Sequence, residues 1–149
     1  MQFVVFHLHG QRFALPLESV DRIVNAVEVA PLPGAPISVL GAIDVGGRVL
    51  PVLCLRQRFG LPQRDVDPGD QFLIARTVSR SVVLVIDQAQ GVVEADLSDV
   101  IALDEAVPGL EQFLGMTRDD DGLVLIHDLE KFLSHEESVS LDAALERSA

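Results

Sequence analysis

The sequence predicts an all-β fold of two tandem, similar five-stranded barrels packed side by side, and three observations carry that expectation. The first is a repeat. Residues 40–59 (LGAIDVGGRVLPVLCLRQRF) read as a strand, a tight Gly-Gly turn, a second strand and a turn or two of helix. Residues 114–133 (LGMTRDDDGLVLIHDLEKFL) read the same way, so that Leu40 meets Leu114, Gly41 meets Gly115 and Leu55 meets Leu129. Turn formers between two apolar runs are what a hairpin requires. The second observation is composition: with no Trp, no Tyr and seven Phe, the core must be built largely from Val, Leu, Ile and Ala, and the β-branched members favour pleated surfaces. The third is size, since a unit of about 60–70 residues with five short strands closes most economically as a small barrel. One such unit buries a modest core, so two should pack together over a third apolar seam.

The elements follow in order. Residues 3–9 alternate, with Val4, Phe6 and Leu8 on one face and Phe3, Val5, His7 and His9 on the other. Gly10-Gln11 reads as the turn, and Phe13 to Leu17 as the returning arm. Residues 18–24 fit a helical turn or a bulged strand, and a strand continuing to about Val29 is expected. Pro31, Pro33 and Pro36 exclude regular structure up to Ile37. The first copy of the repeated unit follows. Residues 63–69 (QRDVDPG) are the best linker in the chain. After it the first half is replayed: QFLIA echoes QFVVF, residues 81–86 form a continuous apolar run that suggests burial on both faces, and Pro108-Gly109 matches Pro33-Gly34. Subdomains of about 10–62 and 70–134 are expected, with the N-terminal strand free to pair with either, and a C-terminal tail at 135–149. That tail carries a short apolar stripe of Leu141, Ala144 and Leu145, which Ser140 could cap. A helix this short frays in water unless it docks.

The net charge of −12, with only 11 basic residues, argues against nucleic acid and against an unaided anionic membrane surface. No apolar run is long enough to span a membrane and no signal-peptide pattern is visible, so the cytoplasm is the expected location. One cysteine is compatible with a reducing compartment.

No convincing catalytic set emerges. His7 and His9 point the same way from one strand, but no third ligand lies at a suggestive distance, and no metal or cofactor is expected. Asp119-Asp120-Asp121-Gly122 resembles the start of a calcium loop without its closing glutamate, and reads as a solvated hairpin turn. Cys54, within an apolar run, reads as a small buried hydrophobe. What stands out is apolar side chain in excess of what small barrels can bury, available to the seam or to a partner-binding face.

The order FVVFHL, FALPLESVDRIV, LPGAPISVLGAI, RVLPVLCLR and GLVLIHDLEKFLS, with the tail SHEESVSLDAAL, resembles the CheW-like coupling proteins of bacterial chemosensory arrays over essentially the full length. That resemblance implies a non-enzymatic adaptor bridging the cytoplasmic tip of methyl-accepting chemoreceptors to the regulatory domain of a CheA-type histidine kinase, with no nucleic acid and no membrane insertion. It also implies a receptor-binding set of Val20, Arg22, Ile23, Gly41, Asp44 and Gly46. Here the sequence departs from the family. The usual turn is Asn-x-Arg-Gly, and this chain has Asp44-Val45-Gly46-Gly47. The acidic residue common at position 22 is arginine, and Cys54 stands where the family usually has aspartate. Two alternatives stay open: an adaptor of a type IV pilus or second-messenger pathway, and a small-ligand barrel using His7, His9 and His127. A hollow seam would favour the ligand barrel, and a filled seam the adaptor.

Overall fold

A computed structural model describes residues 1–103 and 110–148; Pro108-Gly109 lies outside the described residues. Ten strands form two five-stranded sheets: β1 (Gln2–Leu8), β2 (Gln11–Pro16), β3 (Val20–Asn25), β4 (Val39–Val45), β5 (Arg48–Leu53), β6 (Gln71–Arg76), β7 (Ser81–Ile86), β8 (Gln88–Glu94), β9 (Phe113–Asp119) and β10 (Gly122–His127). The fold class is the expected one.

The strand order reveals what the repeat alone does not. One sheet runs β8-β1-β2-β10-β9 and the other β3-β6-β7-β5-β4. Under the repeat β1 corresponds to β6 and β2 to β7, so the two orders are copies of each other in which each half lends its first hairpin to the other half's sheet. The halves expected as subdomains, about 10–62 and 70–134, therefore do not coincide with the sheets: β2 belongs with β8–β10, and β6 and β7 belong with β3–β5. The physical reason is local. β2 is flanked by antiparallel β1 and parallel β10, and β7 by β6 and parallel β5. Neither leaves a free edge for the strand that follows it. After Pro16 a 3-10 turn at Leu17–Ser19 sends the chain across to the other sheet, and Asp87 makes the matching crossing between β7 and β8.

Three finer expectations are corrected. The first hairpin turns at His9-Gly10, both left-handed, with Leu8 opposite Gln11. β3 ends at Asn25, short of Val29, where the amide of Ala26 is taken by the carbonyl of Asp70. The C-terminal helix α2 (His135–Ser148) starts well before Ser140. Its cap is Ser134, whose hydroxyl accepts the Glu137 amide at 3.1 Å while the Glu137 carboxylate accepts the Ser134 amide at 3.1 Å. That reciprocal pair is a capping box.

Three apolar clusters fill the molecule. Phe3, Val5, Ala14, Val124 and Ile126 fill the first barrel, and Ile43, Leu50, Val52, Phe72, Ile74 and Val83 the second. The largest cluster is the seam between the sheets, where Val4, Phe6 and Phe13 meet Leu53, Leu73 and Leu84. The alternation in β1 therefore buries both faces, one in a barrel and one in the seam. A short helix α1 (Leu55–Phe59) adds Phe59, whose ring lies 4.9 Å from those of Phe13 and Phe113. α2 caps the seam with Leu141 and Ala144, both fully buried. It is pinned by an ion pair of Glu137 with Arg58 and by Asp142 with Arg80 at 2.5 Å. Burying one leucine is worth about 1.5–3 kcal/mol, which turns a marginal helix into a fixed one.

Candidate functional site

Of the six residues singled out from the sequence, five lie on β3 and β4, the two edge strands of their sheet, and Gly46 lies in the turn after β4. Val20 and Ile23 are half-buried against the seam cluster, while Arg22 is exposed. In the β4–β5 hairpin, Asp44 accepts the Gly47 amide at 2.8 Å, and Gly46 and Gly47 have φ of 59° and 86°. That is the two-residue turn that matches strand twist, and it requires left-handed residues at both positions. An added Cβ at Gly46 would meet nothing within 4 Å.

Gly41 has a different environment. It is buried, and a Cβ there would lie 2.1 Å from the Ala30 carbonyl oxygen. The loop after β3 returns to β4, where Ala30 and Ala42 exchange backbone hydrogen bonds of 2.9 Å in both directions. In the other sheet Ile101 and Met116 do the same at 2.8 and 2.9 Å, and a Cβ at Gly115 would lie 2.6 Å from the Ile101 carbonyl oxygen. Both copies of the repeat need glycine because a loop closes against the strand at that point. Gly41 and Gly46 stand five positions apart, roughly 16 Å of chain, so the buried Gly41 is set apart from the turn.

The structure does bring together a set the sequence did not suggest. Val20 lines an open groove of about 360 Å³ with Glu18, Ser19, Asp21, Arg48, Arg76 and Ser81. Arg48, the first residue after the Gly46-Gly47 turn, donates to the Ser81 hydroxyl at 3.3 Å. Arg76 and Ser81 come from the hairpin lent by the other half, so no local signal pointed to them.

The remaining chemistry-bearing residues are structurally engaged. Arg12 holds both Asp119 oxygens at 2.5 and 2.6 Å, and this guanidinium keeps the Asp119 carboxyl below its ordinary pKa. Asp119 also accepts the Asp121 amide at 2.9 Å, so the acidic turn is a hairpin anchor. Arg64 reaches both oxygens of Asp70 at 2.7 and 2.8 Å and also Asp87 at 3.0 Å, tying the linker to the crossing residue. Burial pushes the Asp70 carboxyl up, but the Arg64 guanidinium and the Asp67 amide outweigh it and hold it below the ordinary range. His127 is fully buried, with Nδ1 2.8 Å from the Gln112 carbonyl oxygen and Phe59, Phe113 and Phe132 around its ring. Burial drives its pKa down to about 4, with Arg58 adding to the effect and the Gln112 bond opposing it. His9 is exposed in its turn, and Cys54 is buried. Among the described residues no group of three or more His, Cys, Asp or Glu could hold a metal ion, and no helix is long and apolar enough to cross a membrane.

The two barrels with exchanged hairpins have a counterpart among known proteins. The family model described as "CheW-like domain" matches residues 2–137. The chain belongs to the CheW-like family. Relatives include a chemotaxis protein CheW of Treponema pallidum, 25% identical over 142 residues that cover 91% of this chain and 84% of that protein. Another, of Bacillus subtilis, is 25% identical over 144 residues covering 93% and 90%. The crystal structure of the scaffolding protein TtCheW from Thermoanaerobacter tengcongensis superposes with a TM-score of 0.82 at 22% identity, covering 91% of this chain and 89% of that one. Within this CheW-like fold the turn at 44–47, Asp44-Val45-Gly46-Gly47, carries no arginine. The nearest positive charge in sequence is Arg48, on the groove.

Proposed function

We propose that this CheW-like chain is a non-enzymatic adaptor that couples methyl-accepting chemoreceptors to a CheA-type histidine kinase, within a cytoplasmic array beneath membrane-bound receptors. Family membership across residues 2–137 carries the reading. The filled seam supports it: Phe6, Phe13, Leu15, Leu53, Leu73 and Leu84 are each at most 1% exposed, so the space a small ligand would need between the barrels is occupied by side chains. His127 is committed to the Gln112 carbonyl within that packing, which removes it as a ligand-facing group.

In this reading Val20, Arg22, Ile23, Asp44 and Gly46 present the receptor-facing end of the β3–β4 barrel, and the buried Gly41 supports them by admitting the returning loop. Shape and apolar contact supply affinity there, and charges set specificity. A binding measurement against the CheA-type regulatory domain from the same cell is the primary test; absence of association sinks the proposal. A local test replaces Gly46 with arginine and Asp44 with asparagine. The asparagine keeps an acceptor for the Gly47 amide, and the arginine enters open space at a left-handed position, costing about 1 kcal/mol of stability. Association with receptors of ordinary CheW systems should improve, and unaltered association counts against the turn. The changed charges at 22, 44 and 46 favour a second reading within the family, an adaptor dedicated to its own divergent receptors in a pilus or second-messenger pathway. Binding to the neighbouring operon's receptors rather than to swimming receptors would decide for it.

A further inference from the structure

The distribution of arginines points to a use for the groove beside Val20. The chain carries 23 acidic and 11 basic residues, so an arginine has carboxylates in excess to pair with. Arg12, Arg56, Arg58 and Arg80 each take one, and Arg64 takes two. Among the described residues Arg22, Arg48, Arg76, Arg118 and Arg147 take none, Arg147 reaching only the Pro33 carbonyl, and two of these five, Arg48 and Arg76, line one groove. Glu18 and Asp21 line the same groove, yet neither forms an ion pair with these arginines. The Ser81 hydroxyl engages one Nη of Arg48 and leaves its other donors open. Val20 gives the groove an apolar wall, and Val49, next to Arg48, is 59% exposed.

We infer that this groove accepts an amphipathic segment of a partner protein that presents carboxylates beside an apolar side chain, with Arg48 and Arg76 as the specificity-determining residues. A guanidinium offers a planar fork of donors that matches a carboxylate. The groove's own carboxylates, Glu18 and Asp21, narrow the choice. They repel an extended polyanion such as nucleic acid, so what enters is a side-chain carboxylate or two rather than a charged backbone. The inference rests on the proposed adaptor role only in naming the receptor tip as the protein that supplies the segment. The carboxylate preference stands on the groove itself.

The test has two arms. In the first, amide resonances of the full chain are followed while a short amphipathic peptide with two glutamates is added, alongside the same peptide with glutamines. The expected result is shifts at Ser19, Val20 and Ser81 with the glutamate peptide only, lost in Arg48→Glu/Arg76→Glu and kept in Arg118→Glu, an unpaired arginine on the other sheet. Equal shifts from both peptides, no shifts from either, or equal loss in Arg118→Glu overturns the inference. In the second arm the receptor-tip fragment and the kinase regulatory domain are titrated separately. Charge reversal at 48 and 76 should weaken receptor binding by about tenfold or more and leave kinase binding within about twofold. Receptor binding that is unchanged in the double variant overturns the groove as the receptor's site. A receptor fragment that fails to bind the unaltered chain, while the glutamate peptide binds, removes the receptor as partner and leaves the carboxylate site in place.

Discussion

Replacing Gly41 with alanine separates a structural from a recognition role for a residue proposed above to support the receptor-facing end. The added Cβ would lie 2.1 Å from the Ala30 carbonyl oxygen and 2.7 Å from Val29 Cγ1, both well inside ordinary contact. Both the oxygen and its neighbours belong to backbone held by two 2.9 Å hydrogen bonds between Ala30 and Ala42, so relief requires the loop to back away and break them. Each bond is worth about 1 kcal/mol net, and a buried amide left without a partner costs about 1–3 kcal/mol. The expected loss is about 3 kcal/mol, read as a lower urea midpoint at unchanged slope. Gly46→Ala is the internal control: its left-handed backbone costs about 1 kcal/mol and its Cβ meets nothing within 4 Å. Gly115→Ala should fall nearer to Gly41→Ala, since its Cβ meets the Ile101 oxygen at 2.6 Å. A Gly41→Ala cost no larger than that of Gly46→Ala would refute the reasoning.

Two further outcomes are expected. His127 is neutral when folded down to about pH 4, whereas the unfolded chain protonates it near about pH 6.5. The unfolded state therefore binds more protons in that window, and stability, full above about pH 6.5, falls as pH drops towards 4 by up to roughly 3 kcal/mol. Urea midpoints measured across that range for the unaltered chain and His127→Gln check it, and an equal slope in both counts against it. Leu141→Ala empties a fully buried site on α2 and should cost about 2–5 kcal/mol, with faster amide exchange along the helix. A loss below about 1 kcal/mol would mean that the helix is not held by the seam.

The repeat was legible because hairpins are written locally, in turn residues between alternating apolar runs. Gly41 and Gly115 were visible as a matched pair, but their reason was not, since the carbonyls that require them belong to loops more than ten residues earlier. The exchange of hairpins was hidden for the same reason. Alternation in β1 says that both faces are buried, not which strands cover its edges. Arg76 and Ser81 reach the Val20 groove only through that exchange, so the candidate site was half legible: the first half's positions could be named, and the second half's could not. The start of α2 was misplaced because Ser134 and Glu137 lie within a polar stretch where only the capping-box spacing marks a beginning. Arg48 lies on the strand after the turn, where sequence alone does not fix which way it faces, and its orientation followed only from its contact with Ser81.

The exchanged hairpins also change what a single chain of this kind is. Two identical subunits, each lending its first hairpin to the other, would build the same pair of sheets with a true two-fold axis, and the linker at 63–69 would be the only addition needed to make them one molecule. The chain thus has the connectivity of a swapped dimer fused end to end. Cutting that linker would leave two fragments that hold each other's sheets together, neither of which contains a complete barrel. Sequence drift between the halves could then specialise the two ends of the molecule while their folding stayed mutually dependent, so an adaptor with two different faces would persist as one cooperative unit.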